Sequence, residues 1–133
     1  MMIRTWVPQD IPTVVSVLMG LKQHTIWSKH PEIATDPQDY VKWLHSIYLD
    51  HQKQVFISQE EDRITAICGV GLETHFFPPH LRHGFEWCLW GITTRQISGV
   101  WSSAKQWAKS RGASFIRRSS LDGNIEHVRW EKL

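Results

Sequence analysis

One amphipathic helical stretch set between two strand-like segments constrains this chain more than any other feature. Ile97, Val100, Trp101, Ala104, Trp107 and Ala108 recur at helical spacing between about Ile97 and Arg111, and Gly112 closes the stretch. Phe85–Trp90 alternates before it, and Ala113–Arg118 follows as a further strand. A strand–helix–strand crossover lays its two strands parallel in one sheet. Upstream, Gln54–Ser58 and Ile64–Leu72 are β-branched and apolar, joined by the charged turn Glu60-Glu61-Asp62-Arg63. That is a hairpin, hence an antiparallel pair. The chain must therefore build a mixed sheet, antiparallel first and parallel later.

The remaining elements fit around that sheet. Ile3–Val7 alternates as a short strand. Asp10 reads as an N-cap with Pro12 in the first turn, ahead of a helix whose apolar face is Ile11, Val14, Val15, Leu18 and Leu21. Asp36-Pro37-Gln38-Asp39 starts a second helix with Tyr40, Leu44, Ile47 and Tyr48 as its stripe. Asn124–Leu133 begins like a helix and then stops. The order β-α-α-β-β-β-α-β-α places residues 1–133 in the α+β class as a single domain. An apolar share of 41% against 21% charged residues excludes disorder. No apolar run reaches the ~20 residues of a membrane span, so no membrane partner is expected. Cys68 and Cys88 are the only cysteines. They make no disulfide framework, and a reducing, cytoplasmic compartment is the expectation.

Three local patterns within this order resemble the GNAT superfamily of acetyl-CoA-dependent N-acetyltransferases. Ile3-Arg4 followed by Asp10 and a helix is similar to the usual opening of such domains. Gln96-Ile97-Ser98-Gly99-Val100-Trp101, between a strand and a helix, resembles the family's Q/R-x-x-G-x-G/A phosphate loop. Gly123-Asn124-Ile125-Glu126-His127-Val128-Arg129-Trp130 looks like its Asn-led final helix. Among members, the chain is most similar to the small GNAT-like proteins of tailed phages, some of them virion components. It would then reside in a host cytoplasm or a virion. The resemblance implies CoA as cofactor. Residues 96–101 would hold its pyrophosphate, with Thr94, Arg95, Gln96, Ser98, Gly99, Val100, Trp101 and Asn124 as cofactor contacts. The pantetheine arm would lie along Trp90–Ile92, and the thioester where that strand splays from the next. A glycine-bearing turn entering a helix also suits phosphate on physical grounds, because its backbone N–H groups point at the anion.

The departures are equally specific. Trp101 stands where the loop wants Gly or Ala, and Glu131 where a tyrosine often acts as general acid. The helix from Gly99 to Gly112 looks about one turn short at 3.6 residues per turn. The C-terminal hairpin that the resemblance implies at the end of the sheet is expected to be missing. That would leave Ala113–Arg118 as an open edge for a second copy or a protein partner to cover.

Glu86 is the candidate catalytic residue, a mid-strand carboxylate among Phe85, Trp87 and Trp90 that could deprotonate an amine directly or through water. A solvent-facing glutamate is the plain alternative. Glu73 and His75 are secondary candidates. His75, His80 and His83 lie within nine residues. That spacing matches no zinc signature, so exposed loop histidines and no metal are expected. Residues 1–94 carry seven basic and ten acidic side chains, and residues 95–133 eight and three, so the last third could bind anions. Lys105 and Lys109 fall on the polar face of their helix, however, and nucleic acid is not the expected partner. Arg117 and Arg118 must point to opposite faces of their strand. Trp43 either lines an acceptor wall with Trp27 and His24–His30 or packs its helix onto the sheet. Cys88, inside an aromatic strand, reads as an inert buried thiol.

The expectation is thus an N-acetyltransferase acting on a small-molecule or protein amine. The alternative is a GNAT-fold structural or interaction protein without catalysis, such as a phage virion component or an inhibitor of a host protein. Under the first reading, Gly99→Asp abolishes cofactor binding and leaves the fold intact.

Overall fold

The computed structural model describes residues 1–22, 36–75, 80–122 and 125–133. In chain order the elements are β1 (Met2–Thr5), a 3-10 turn (Pro8–Asp10), α1 (Ile11–Lys22), α2 (Pro37–Tyr48), β2 (Lys53–Glu60), β3 (Arg63–Thr74), β4 (Arg82–Gly91), α3 (Thr94–Ser110), β5 (Phe115–Asp122) and β6 (Ile125–Lys132). The six strands form one sheet in sequence order. Every neighbouring pair is antiparallel except β4 with β5, which the α3 crossover makes parallel. This is the expected mixed sheet and α+β class. No helix among the described residues is long and apolar enough to cross a membrane.

Alternation along the strands gives the sheet two apolar faces. Phe56, Cys68, Val70 and Ile116 turn toward α3 and meet Val100, Trp101, Ala104 and Ala108. Val55, Ile57, Ile67 and Cys88 turn the other way and meet Ile11, Val14, Leu44 and Ile47 of α1 and α2. Asp36 caps α2 as expected, its Oδ1 accepting from Gln38 N at 2.9 Å. Gly112 ends α3 with φ 89, a left-handed conformation that glycine adopts without steric cost.

Asp10, expected as the N-cap of α1, turns its carboxylate back onto the residues before it. It closes the 3-10 turn by accepting from Val7 N at 2.8 Å, and it takes both arms of Arg4 at 2.8 and 2.9 Å. The Arg4 guanidinium holds its carboxyl below the usual range of 3.8, against the opposing effect of burial. Because the folded state lowers this acid, its contribution is present above pH 3.8 and is lost as pH falls below it. Asp10→Asn is expected to cost roughly 1–3 kcal/mol in urea unfolding at pH 7, since it leaves the guanidinium without its anion. A loss below about 0.5 kcal/mol, the range of neutral surface substitutions, would contradict this.

Two expectations fail at the C-terminus. Residues 125–132 are a strand, not the start of a helix, and β6 pairs along all of β5 from Phe115↔Lys132 to Asp122↔Ile125. The segment Ala113–Arg118 therefore has no open edge, and a hairpin does complete the sheet. The physical signal was period two: Val128 and Trp130 alternate with Arg129 and Glu131. Gly123-Asn124, outside the described residues, is the residue pair a two-residue hairpin uses. Glu131 ties the new strand to α3, accepting from Trp101 Nε1 at 3.4 Å and pairing with Lys105 Nζ at 3.2 Å.

Candidate functional site

The parallel ladder between β4 and β5 is short. It runs only from His83↔Phe115 to Phe85↔Arg117. Beyond it β4 continues to Gly91 and β5 to Asp122 without pairing, so the sheet opens into a slit. Backbone groups of residues 87–91 that face the slit have no strand partner on β5. At its mouth β4 also bulges. Cys88 pairs with Gly69 and Glu86 with Val70, which leaves Trp87 as the extra residue. Gly69 permits this, since a Cβ there would lie 2.5 Å from the Trp87 ring.

The slit has two faces with different chemistry. Val70 belongs to the α3-side core, so its partner Glu86 points toward α3 as well. Glu86 is half-buried, and its charge adds to the burial that raises the thiols of Cys68 and Cys88. Arg118 stands on the same face, its guanidinium 5.8 Å from the centre of the Trp101 ring. Arg117 points the other way and lies 5.9 Å from the Phe85 ring, so the two arginines divide between the faces as expected. Cys68 and Cys88 are both buried, burial pushes Cys88 up to about 12 and Cys68 well above its usual value, and neither is a nucleophile.

The face opposite α3 carries a side-chain chain that the linear sequence shows only as separate residues. Glu73 and His83 are partners across β3 and β4, and Glu73 Oε2 lies 3.2 Å from His83 Nε2. His83 Nδ1 is in turn hydrogen-bonded to His75 Nε2. His83 is buried, and its pKa is lowered first by burial and then by the charges of His75 and Arg117, against Glu73. Its ring lies edge-on to Trp130 at 5.1 Å. His80 is exposed and does not join the pair, and no group of three metal-capable side chains converges among the described residues. Trp43 packs edge-to-face on Trp87 at 5.4 Å; Trp27 and His24–His30 lie outside the described residues.

The stretch proposed as a phosphate loop is helix. α3 begins at Thr94, three residues before the expected start, and its 17 residues remove the apparent missing turn. Thr93 caps it. The Thr93 hydroxyl accepts from Gln96 N at 3.3 Å, and Gln96 Oε1 accepts from Thr93 N at 3.2 Å. This capping box overrode the glycine as a start signal. Gln96 is buried and also donates to Glu60 at 3.3 Å. Val100 and Trp101 are core. Gly99 faces β1, where a Cβ would meet Ile3 Cδ1 at 2.8 Å, so Gly99→Asp would disturb packing instead of sparing the fold. Backbone N–H groups from Ser98 onward lie past the first turn and are spent within the helix. Trp90 is half-buried against the α1/α2 core, and Ile92, Thr94, Arg95 and Ser98 are exposed. Asn124 lies outside the described residues.

Of the expected cofactor contacts, Thr94, Arg95 and the end of β4 remain candidates for holding a CoA-type ligand. The α3 N-terminus follows β4 after two residues, and the exposed Thr94 and Arg95 sit on its first turn. First-turn N–H groups and the helix dipole suit an anion. The slit supplies an unpaired backbone edge along β4. Beside it, Trp87 Nε1 is buried without a hydrogen-bond partner among the described residues. Against the fit, the turn Ile92-Thr93 carries no glycine, and Gly91 serves packing, since a Cβ there would meet Ile97 Cγ1 at 2.4 Å.

No family model and no curated protein sequence matches this chain. Solved structures do share its fold. A protein described as a predicted acetyltransferase with acetyl-CoA from Clostridium acetobutylicum aligns over 91% of this chain and 81% of its own, with TM-score 0.71 and 15% identity. A ribosomal-protein-alanine N-acetyltransferase from Brucella melitensis covers 93% and 76%, with TM-score 0.70 and 15% identity. A transcriptional regulator from Bacillus halodurans covers 92% and 82%, with TM-score 0.72 and 16% identity. The chain is similar to these in fold, and the fold is GNAT-like.

Proposed function

We propose that the chain is an acetyl-CoA-dependent N-acetyltransferase that transfers acetyl to a small-molecule or protein amine. The observation that carries this reading is the slit opening beyond Phe85 and Arg117 with a helix N-terminus two residues past the end of β4. One element thus supplies an unpaired backbone edge, and the next an anion site. Neighbours of this fold include acetyltransferases, one of them with acetyl-CoA.

When bound, acetyl-CoA supplies an acetyl group already activated as a thioester. The first turn of α3 would hold its phosphates through backbone N–H groups, with the Thr94 hydroxyl and Arg95 guanidinium alongside. The β4 backbone near the Trp87 bulge would donate to the charge that develops on the carbonyl oxygen. Two groups that can take a proton lie on this part of the sheet, Glu86 at the slit on the α3 face and the Glu73–His83–His75 chain at the closed end of the ladder on the other.

The second reading is a GNAT-fold structural or interaction protein without catalysis, including a phage particle component. The glycine-free turn and the Trp101–Arg118 contact favour it. A partner or second copy would then meet the outer edge of β6. The two readings part at the anion site. Arg95→Glu is expected to weaken CoA binding at least about tenfold by charge reversal at a phosphate contact, without altering the melting temperature. Equal affinity in the variant would remove α3 from the site.

A further inference from the structure

We propose that Glu73, His83 and His75 form a proton relay in which His75 is the base for the acceptor amine and Glu73 the exit to solvent. This rests on the acetyl-transfer reading and assigns its proton path. The two bonds at His83 leave one assignment with both rings neutral. Glu73 is an acceptor when ionised, so His83 Nε2 carries the hydrogen bonded to it. His83 Nδ1 then accepts from His75 Nε2–H. The lone pair of the system is left on His75 Nδ1, at the outer end of the chain.

The placement suits that role. His83 is 7% exposed and Glu73 61%, so the middle of the relay is shielded and one end is wet. His83 pairs with Phe115 at the closed end of the parallel ladder, two residues before the slit opens. Among the described residues no helix covers β5 and β6 on this face, and Phe115, Val128 and Trp130 are exposed there. An amine would approach on that face, whereas α3, Trp101 and Arg118 occupy the other. The charged groups facing His83 are Glu73 from β3, His75 beyond it, Arg117 from β5, and Lys132, which shares this face of β6 through its pairing with Phe115. Burial and the Arg117 guanidinium both lower the pKa of His83, against Glu73.

The protons balance. As the amine nitrogen bonds the acetyl carbon and sulfur leaves with its electron pair, the amine proton enters at His75 Nδ1. The Nε2 proton of His75 passes to His83 Nδ1, the Nε2 proton of His83 passes to Glu73, and Glu73 releases it to water. Each ring ends in the flipped tautomer and resets by rotation or by the reverse transfer.

Two measurements on the intact chain test the relay. The first needs no activity: imidazole 15N spectra across pH 5–8. The expected result is a hydrogen on His83 Nε2 and one proton taken up jointly by His75 and His83. The midpoint should fall in Glu73→Gln, which removes a neighbouring anion. Two rings that titrate independently, with midpoints unmoved by Glu73→Gln, would overturn the relay. The second follows release of CoA thiol from acetyl-CoA with n-butylamine. His75→Gln and His83→Gln should slow it about a hundredfold, and Glu73→Gln should move the acid limb of the pH profile to lower pH. A rate that collapses in Glu86→Gln and ignores His83→Gln overturns the relay alone. A wild type that releases no thiol at any pH overturns the acetyl-transfer reading, whatever the spectra show.

Discussion

Trp101→Ala should lower the stability of the chain by about 3–5 kcal/mol, the usual cost of emptying a large aromatic site in a core. Trp101 is 7% exposed, packs with Val100 and Ala104 between α3 and the sheet, and receives the Arg118 guanidinium. Its indole N–H also reaches Glu131 of β6. Removing it opens a cavity and releases two contacts that hold β5 and β6 to α3. Urea unfolding measures the loss. The same variant separates two accounts of residues 96–101. If they formed a phosphate loop, a small residue at 101 would improve CoA affinity at little cost in stability. A stable variant with tighter CoA binding would refute the helical account of this stretch.

A chain ended after Asp122 should lose cooperative unfolding altogether. Eight register pairs join β5 to β6, and Leu133 N adds a bond to Ser114 O at 2.9 Å. At about 1 kcal/mol for each net hydrogen bond, the ladder alone holds several kcal/mol. Small domains have only about 5–15 kcal/mol to lose. The truncation would also bare β5, whose neighbour β4 holds it by three residue pairs. The expected product is aggregated or molten, with its near-ultraviolet circular dichroism lost. A truncated chain with a sharp thermal transition would show that β6 is dispensable.

The parts of the fold legible in the sequence were those with strong local chemistry. The N-cap at Asp36, the hairpin around Glu60–Arg63, and the α3 stripe ending at Gly112 each rest on neighbours in the chain, and the structure has all three. The failures came where two local signals competed. At Gln96 a glycine three residues on suggested a loop, but the Thr93–Gln96 capping box starts the helix earlier. At residues 124–133 an asparagine looked like a helix start, but alternation carried the strand. The candidate site was legible only in pieces. Glu73 and His75 were secondary candidates and His75 and His83 part of a loop trio, and the contact of all three depends on the β3–β4 register on the connection side of the Trp87 bulge. No local pattern contains that information. The same holds for the slit, because where β5 leaves β4 depends on the three-residue length of their ladder.

The most direct measurement of the central claim is calorimetric titration of the purified chain with acetyl-CoA and with free CoA. The account predicts micromolar dissociation constants for both, since the proposed contacts from the α3 N-terminus and the β4 backbone edge would fall on portions that the two ligands share. It also predicts at least about tenfold weaker binding in Arg95→Glu. No heat of binding at millimolar cofactor would contradict it, leaving a GNAT-like fold without the ligand and directing attention to a partner at the β6 edge.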